Sequence, residues 1–200
     1  MNTQQQVCAK EFWFWLQENQ AQFDSLVETS DAFWDTALEK LKAIDEGLWF
    51  ELSKPDGRER EMIITAEGDE ELFPLVDAMV ACAPTVRGWK FIPLKPPGGF
   101  HFKTTYEGIP LDPKKMWFQP LEIKTSLRPF RIRIGVPNYK SRQKRPIENG
   151  VLVILDTALG ERAVARDIEC REICPLPEHP EAKGYFPLQD LPRHIERLNG

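Results

Sequence analysis

The chain has 200 residues, of which 42% are hydrophobic and 28% are charged, and it contains four cysteines. A chain of this length and composition can bury a sufficient core without disulfides or metal ions. Its net charge of -5 argues against a general nucleic-acid-binding protein, which needs a basic face to displace counterions from phosphates.

The beginning of the chain and its apolar runs bear on its location. The opening residues, MNTQQQVCAKEFWFW, lack the basic and smoothly apolar segments of a secretory signal. The longest apolar runs, such as Val151–Leu155, are far shorter than the roughly 20 residues that cross a bilayer. We therefore expect a cytoplasmic protein with reduced thiols and no membrane association.

Helical periodicity near the start predicts an α-hairpin. After a frayed segment at residues 1–7, the first helix runs from about Ala9 to Phe23, and the second begins at its N-cap Ser30. The aromatic sequence FWFW makes the first helix apolar almost all round at its beginning. Such a helix is either buried on two sides or covers a partner.

The stretch from Leu48 to Leu94 is the clearest structural signal in the sequence. It predicts strand, turn, strand, helix and strand in that order. Because Pro74 falls inside the helical pattern, we expect either an irregular first turn or a regular helix that starts near Pro74. The predicted strands are Leu48–Leu52, Met62–Ala66 and Trp89–Leu94, the turn is Lys54–Gly57, and the helix is Leu72–Ala83.

The second half again reads as strand, strand, helix, strand, although the halves share little residue identity. The strict alternation in Phe130–Val136 predicts a strand with one buried face. The length of Ile147–Leu159 favours a helix over a strand. The other predicted elements are strands at Phe100–Thr104, Met116–Lys124 and Arg162–Cys174, a connector at Glu107–Pro113 and a final helix at Pro187–Leu198.

Together these elements predict an α+β fold. We expect a mostly antiparallel sheet, or two sheets, with helices on one face, and two ferredoxin-like halves are one arrangement of that pattern. Residues 1–200 are taken as a single domain with sub-halves at 1–99 and 100–200. No glycine-rich nucleotide-binding motif follows a predicted strand, which disfavours a doubly wound nucleotide-binding fold.

Four short motifs are spread over most of the chain. They are FWFW near the start, IITAEG-x-x-E-x-FP-x-V in the middle, AP-x-x-x-GW-x-x-x-P-x-KP after it, and LD-x-x-LGE late in the sequence. As a set they resemble the motifs of a family of uncharacterised small bacterial proteins. The resemblance implies a bacterial cytoplasmic protein with an α+β domain, and it implies no activity.

Three carboxylates are candidate catalytic residues. Glu67 belongs to an acidic cluster at a predicted strand-to-helix turn, and Asp156 and Glu161 flank a predicted helix end. Helix capping and turn formation explain acids at such places without catalysis. If the two halves face each other, however, these carboxylates would form the acid–base site of a hydrolase or transferase.

The basic region of the sequence lies in its second half. Arg131 and Arg133 share one face of a strand, and Tyr139 and Lys140 follow in a basic loop. Such a region is usually a solvated sheet face with a charged loop. Its alternative role is to bind an anionic ligand or RNA.

Cys170, Cys174 and His179 come nearest to a metal-binding pattern. A structural zinc site needs four ligands, and the sequence offers no second Cys/His pair. None of the three histidines lies in a nucleophile–base signature. We therefore predict no metal site and no cofactor.

The sequence thus favours a non-catalytic protein-binding or regulatory module over an enzyme. Many aromatic residues, a sheet-rich layout and the lack of a catalytic constellation motivate this hypothesis. An immunity-like role, in which the protein blocks a toxin, fits the size and acidity of the chain. We expect a protein partner or self-association, and no nucleic acid.

Overall fold

The computed structural model describes residues 1–26, 32–54, 59–121 and 129–199. Within these ranges the chain has the predicted α+β fold, in which helices accompany small antiparallel and mixed sheets. The chain forms two compact units, Met1–Lys95 (unit 1) and Pro96–Gly200 (unit 2). They divide a few residues before the boundary that the sequence suggests between its halves.

Unit 1 begins with α1 (Thr3–Glu18), α2 (Gln20–Ser25) and α3 (Ala32–Lys42). The expectation of a frayed beginning is wrong, because Asn2 and Gln5 cap α1 reciprocally. The Gln5 amide donates to Asn2 Oδ1 at 2.8 Å, and the Asn2 amide donates to Gln5 Oε1 at 3.0 Å. The single helix predicted to Phe23 is interrupted at Asn19, and the predicted N-cap Ser30 lies outside the described residues.

Unit 1 continues with β1 (Trp49–Leu52), β2 (Arg60–Thr65), α4 (Phe73–Ala81) and β3 (Trp89–Pro93), as predicted. The strand order is β1-β2-β3, with β1 and β2 antiparallel and β2 and β3 parallel. The irregular first turn expected from Pro74 is a short 3-10 turn, Glu70–Leu72, directly before α4. Most of the turn predicted at Lys54–Gly57 lies outside the described residues.

Arg60 is a buried cation at the beginning of β2, with 5% of its surface exposed. Its guanidinium donates to the backbone carbonyls of Phe23, Leu26 and Ser53. The guanidinium carbon also lies 5.2 Å from the centroid of the Trp89 ring. Arg60 therefore ties the carboxyl end of α2 to the sheet through charge-assisted hydrogen bonds.

Unit 2 contains a hairpin of β4 (Thr104–Tyr106) and β5 (Ile109–Leu111), and a sheet of β6 (Trp117–Pro120), β7 (Phe130–Val136), β8 (Ile168–Pro175) and β9 (Phe186–Pro187). The larger sheet has the order β8-β7-β6-β9. Strand β6 pairs antiparallel with β7 and β9, whereas β7 and β8 are parallel. The pairings in the described ranges are therefore mostly antiparallel, as predicted.

The helices of unit 2 are α5 (Lys144–Leu159), α6 (Glu161–Asp167) and α7 (Leu191–Asn199). Helix α5 confirms the helix predicted at Ile147–Leu159. The strand predicted from Arg162 is wrong in its first part, because Gly160, with a φ of 82°, lets the chain leave α5 and start α6. Among the described residues, no helix combines the length and the apolar character that a bilayer crossing requires.

The strand predicted at Phe100–Thr104 is also wrong. Phe100 and Phe102 pack against the core of unit 2 from a loop, so their alternation reflects core contacts and not strand pairing. The predicted connector after them contains β5, which pairs with β4 through Tyr106 and Ile109. Three-residue strands are too short to show a periodic pattern in the sequence.

The core of unit 2 brings one face of the larger sheet together with α5. Strand β7 alternates as predicted, with its inward residues fully or nearly buried. Residues of this core include Phe130, Ile132, Ile134 and Val136 of β7, and Ile147, Val151, Ile154 and Leu155 of α5.

Both units contain the predicted order strand, strand, helix, strand, but the ferredoxin-like halves are not confirmed. In a split βαβ unit another strand lies between the two parallel strands. In unit 1 the parallel strands β2 and β3 are hydrogen-bonded neighbours, and in unit 2 so are β7 and β8.

Candidate functional site

A cavity of about 690 Å³ lies in unit 2 at the carboxyl end of β7. Its size falls within the range of small-molecule sites. The carboxyl end of a strand that leads into a parallel crossover is a usual place for ligands in such sheets. The residues that line the cavity are Lys103, Thr104, Thr105, Gly108, Ile109, Pro110, Leu111, Asp112, Lys115, Val136, Pro137, Asn138, Lys140, Gln143 and Ile147.

The loop after β7 forms one wall of the cavity. Asn138 has a φ of 57°, a left-handed conformation that asparagine adopts more readily than most residues. It turns the chain toward Lys140, which precedes a 3-10 turn, Ser141–Gln143, and then α5. Because Gln143 and Ile147 both line the cavity, the first turn of α5 borders it.

At the amino-terminal end of α5, neither a side-chain cap nor an acidic residue of the first turn balances the partial positive charge of the helix. Neither Lys140 nor Gln143 makes a capping hydrogen bond through its side chain, and the first turn of α5 contains no acidic residue. The partial positive charge of a helix amino terminus favours a nearby anion.

The β4–β5 hairpin forms the opposite wall and is held closely against α5. A Cβ at Gly150 of α5 would collide with Leu111 and would lie 3.0 Å from Tyr106 Cβ. Glycine at this position therefore permits a contact between helix and hairpin that a larger residue would push apart.

Three lysines, Lys103, Lys115 and Lys140, line the cavity, and Asp112 is the one carboxylate among its described lining residues. Asp112 Oδ1 accepts a hydrogen bond from the Lys114 amide at 3.1 Å, and its Oδ2 lies 3.8 Å from Lys103 Nζ. Neither Lys115 nor Lys140 pairs with a carboxylate of a described residue. The lining thus carries an excess of two positive charges.

The two arginines predicted to bind an anion instead form ion pairs on β8. Arg131 Nε lies 2.9 Å from a carboxylate oxygen of Glu169, and Arg133 Nε lies 2.5 Å from one of Glu172. Arg133 also donates to Gln119 Oε1 at 3.1 Å. The hydrogen bond that Arg133 donates to the Glu172 carboxylate raises the pKa of Arg133. An incoming anion would have to displace these carboxylates.

The other two predicted ligand-binding residues are separated by the structure. The partly buried side chain of Tyr139 packs against the core of unit 2. Lys140 is exposed and lines the cavity. Of the four residues predicted from the sequence, Lys140 is the one that reaches the cavity.

The three candidate catalytic carboxylates lie in different settings. Glu67 is exposed after β2 with a φ of 51°, and Asp156 is half-buried in α5. Glu161 begins α6 and is 1% exposed. Because Glu67 belongs to unit 1 and the other two belong to unit 2, the acid–base hypothesis stays a prediction.

A bulge in β8 places the two late cysteines on opposite faces of the sheet. One extra residue separates Cys170, opposite Ile132, from Glu172, opposite Arg133, so the face alternation is shifted. Burial raises the pKa of Cys170 to about 11, and the thiol is therefore protonated and weakly nucleophilic at neutral pH. Cys174 lies 3.5 Å from the Tyr185 hydroxyl.

The sequence analysis did not identify most of the cavity-lining residues as candidate site residues. Lys103 falls in the wrongly predicted strand Phe100–Thr104, Asp112 in the predicted connector, and Lys115 between that connector and the next predicted strand. The one available signal was the sequence Pro137-Asn138, which ends a strong strand just before a basic loop.

Comparison with models of protein families, with curated proteins and with solved structures found no match to this chain. The resemblance indicated by the sequence motifs stays a prediction. In the part of the chain that the structure describes, no group of three His, Cys, Asp or Glu side chains is arranged to hold a metal ion.

Proposed function

We propose that unit 2 binds a small anionic molecule in the cavity at the carboxyl end of β7. The observation that carries this proposal is the pair Lys115 and Lys140, which line one cavity without a carboxylate partner among the described residues. Two such cations at a concave, partly apolar site create a positive potential that attracts and orients an anion.

The proposal refines the anion-binding hypothesis drawn from the sequence. Lys140 is retained, whereas Lys115 and Lys103 replace the paired Arg131 and Arg133 as the cationic groups. A binding function without catalysis also fits the regulatory module expected from the sequence. The expected bacterial and cytoplasmic setting remains part of the proposal.

Titration with inorganic phosphate, followed by ¹H–¹⁵N NMR, tests this function. We expect saturable shifts at the backbone amides of the loop after β7 and of the β4–β5 hairpin. Lys115→Gln and Lys140→Gln should each weaken phosphate binding by roughly tenfold, because a charge-assisted hydrogen bond is worth about 1.5 kcal/mol or more.

Lys114→Gln and Arg142→Gln are matched controls, because both residues are exposed neighbours that do not line the cavity. They should leave the phosphate affinity nearly unchanged. Shifts confined to Arg131 and Arg133, or equal losses in the control variants, would contradict binding in the cavity.

Self-association is a second candidate, favoured by an exposed apolar stripe on α1. Val7 is 47% exposed and Phe14 is 62% exposed, and their spacing places them on one helix face. Lys10 and Glu11 lie between them. In an antiparallel pair of copies, Val7 would meet Phe14 and Lys10 would meet Glu11, so a second copy of the chain fits this surface.

Sedimentation equilibrium at increasing concentration tests this second candidate. A dimer that dissociates in Phe14→Ser but persists in Gln17→Ser, another exposed position of α1, would support it. A monomer throughout, or equal dissociation of both variants, would rule this surface out.

A further inference from the structure

The charged groups that line the cavity indicate how many negative charges its occupant carries. Those of the described residues are Lys103, Lys115, Lys140 and Asp112. Since Asp112 lies 3.8 Å from Lys103 Nζ, the two cations without a carboxylate partner are Lys115 and Lys140. An occupant with two negative charges would balance them.

The kind of cation also discriminates between anions. None of the described lining residues is an arginine, whose planar fork matches a carboxylate through two parallel hydrogen bonds. Lysine ammonium groups act as point charges with three donors, which suits the several oxygens of a phosphate. Thr104 and Thr105 also line the cavity, and because successive side chains of a strand point to opposite faces, one of the two hydroxyls can add a short neutral donor.

The cavity is also larger and more apolar than inorganic phosphate needs. Its volume is about 690 Å³, and its lining includes Ile109, Pro110 and Pro137, aliphatic residues that are half-buried or exposed. Such walls gain free energy when an apolar group of the ligand covers them. The occupant should therefore have an apolar part beside its charged end.

We propose, on the basis that this cavity binds anions, that it is built for an organic phosphate monoester: a dianionic phosphate held between Lys115 and Lys140, with an apolar group against the aliphatic walls. A phosphodiester or a carboxylate brings one negative charge and leaves one lysine unbalanced.

Calorimetric titration at pH 7.5 and pH 5.0 with three probes tests this inference. The probes are phenyl phosphate, its monoanionic diester phenyl methyl phosphate, and inorganic phosphate. At pH 7.5 phenyl phosphate should bind about tenfold more tightly than either of the others, because it alone combines two charges with an apolar group.

Lowering the pH to 5.0 should reduce the binding affinity for phenyl phosphate about tenfold relative to that for the diester. The second ionisation of a phosphate monoester has a pKa near 6, so the dianion is lost in this range, whereas the diester keeps its single charge. The diester thereby reports any pH dependence that comes from the protein. Lys115→Gln should reduce the preference for monoester over diester, and Lys114→Gln should not.

The outcomes separate this inference from the proposed function. Equal binding of monoester and diester would contradict the requirement for a dianion. Equal binding of phenyl phosphate and inorganic phosphate would contradict the requirement for an apolar group. Either result leaves anion binding intact. If none of the probes binds and phosphate shifts no amide, the proposed function itself fails.

Discussion

The turns that follow β2 in unit 1 and β7 in unit 2 have the same backbone conformation at several corresponding positions but differ in charge. They differ in conformation at one position, where Gly68 has a φ of 90° and Tyr139 is not left-handed. In each, the strand ends, the second residue after it is left-handed, and an extended residue two positions later precedes a 3-10 turn and a helix. The corresponding residues are Glu67 and Asn138 at the left-handed position, Asp69 and Lys140 at the extended position, and Glu70–Leu72 and Ser141–Gln143 in the 3-10 turn.

The two turns differ in whether a side chain accepts a hydrogen bond from a backbone amide of the 3-10 turn. Asp69 Oδ1 accepts a hydrogen bond from the Glu71 amide at 3.0 Å, so unit 1 supplies its own negative cap. At the same position unit 2 has Lys140, which makes no capping hydrogen bond. At this position unit 1 supplies an anion from its own chain, whereas unit 2 has a cation and no side-chain cap.

The two central strands show a second contrast. Arg60 and Arg131 occupy corresponding positions in β2 and β7, counted from the left-handed residue that follows each strand. Arg60 is buried and donates to three backbone carbonyls, whereas Arg131 is exposed and pairs with Glu169. Arginine therefore ties the carboxyl end of α2 to the sheet of unit 1, whereas at the corresponding position of unit 2 it forms an ion pair on the sheet surface.

Replacement of these arginines should give the largest effect. Arg60→Met should lower the free energy of unfolding of unit 1 by roughly 3 kcal/mol, because it leaves buried carbonyls without donors. Arg131→Met should cost unit 2 no more than about 0.5 kcal/mol, since an exposed ion pair contributes little. Amide hydrogen exchange of β2 and β7 measures each unit separately. Similar losses in both strands would contradict the contrast.

The sequence predicted the elements whose patterns are long enough to be periodic. The alternation in Phe130–Val136 predicted strand β7, and the three- and four-residue spacing in Leu72–Ala83 predicted a helix, which the structure has as α4. These patterns arise because each element buries one face against a core, and burial leaves a direct trace in residue type.

The residues that line the cavity form no periodic pattern in the sequence. The lining comes from β4, β5, the turn before β6, the loop after β7 and the beginning of α5, segments that contribute few residues each. These segments come together through tertiary packing, including the close contact between Gly150 of α5 and the β4–β5 hairpin, and such packing has no periodic pattern in the sequence. The β8 bulge is similar, because one extra residue between Cys170 and Glu172 changes the face of everything beyond it.

Exchange of the capping residues should give an intermediate effect. Lys140→Asp should raise the free energy of unfolding of ligand-free unit 2 by about 0.5–1 kcal/mol, because the new carboxylate can cap the 3-10 turn as Asp69 does. The same variant should lose most of its phosphate affinity. Asp69→Lys should destabilise unit 1 by about 1 kcal/mol.

These opposite changes can be followed by hydrogen exchange and phosphate titration on the same samples. If Lys140→Asp both destabilised unit 2 and bound phosphate normally, the correspondence between the two turns would be wrong. Lys140→Gln separates the two effects, since it removes the positive charge without adding a cap.

Exchange of the left-handed residues should give the smallest effect, and it also bears on Glu67 as a catalytic candidate. Glu67 has a φ of 51° and Asn138 a φ of 57°, and asparagine tolerates this region better than glutamate or glutamine. Glu67→Asn should therefore stabilise unit 1 by about 0.5 kcal/mol, and Asn138→Gln should destabilise unit 2 by a similar amount. Hydrogen exchange of α4 and α5 measures both. If Glu67→Asn instead destabilised unit 1, the Glu67 carboxylate would contribute more stability than its backbone strain costs, and a structural role would account for it. Stabilisation is the result expected if a residue is strained and its carboxylate serves function rather than stability.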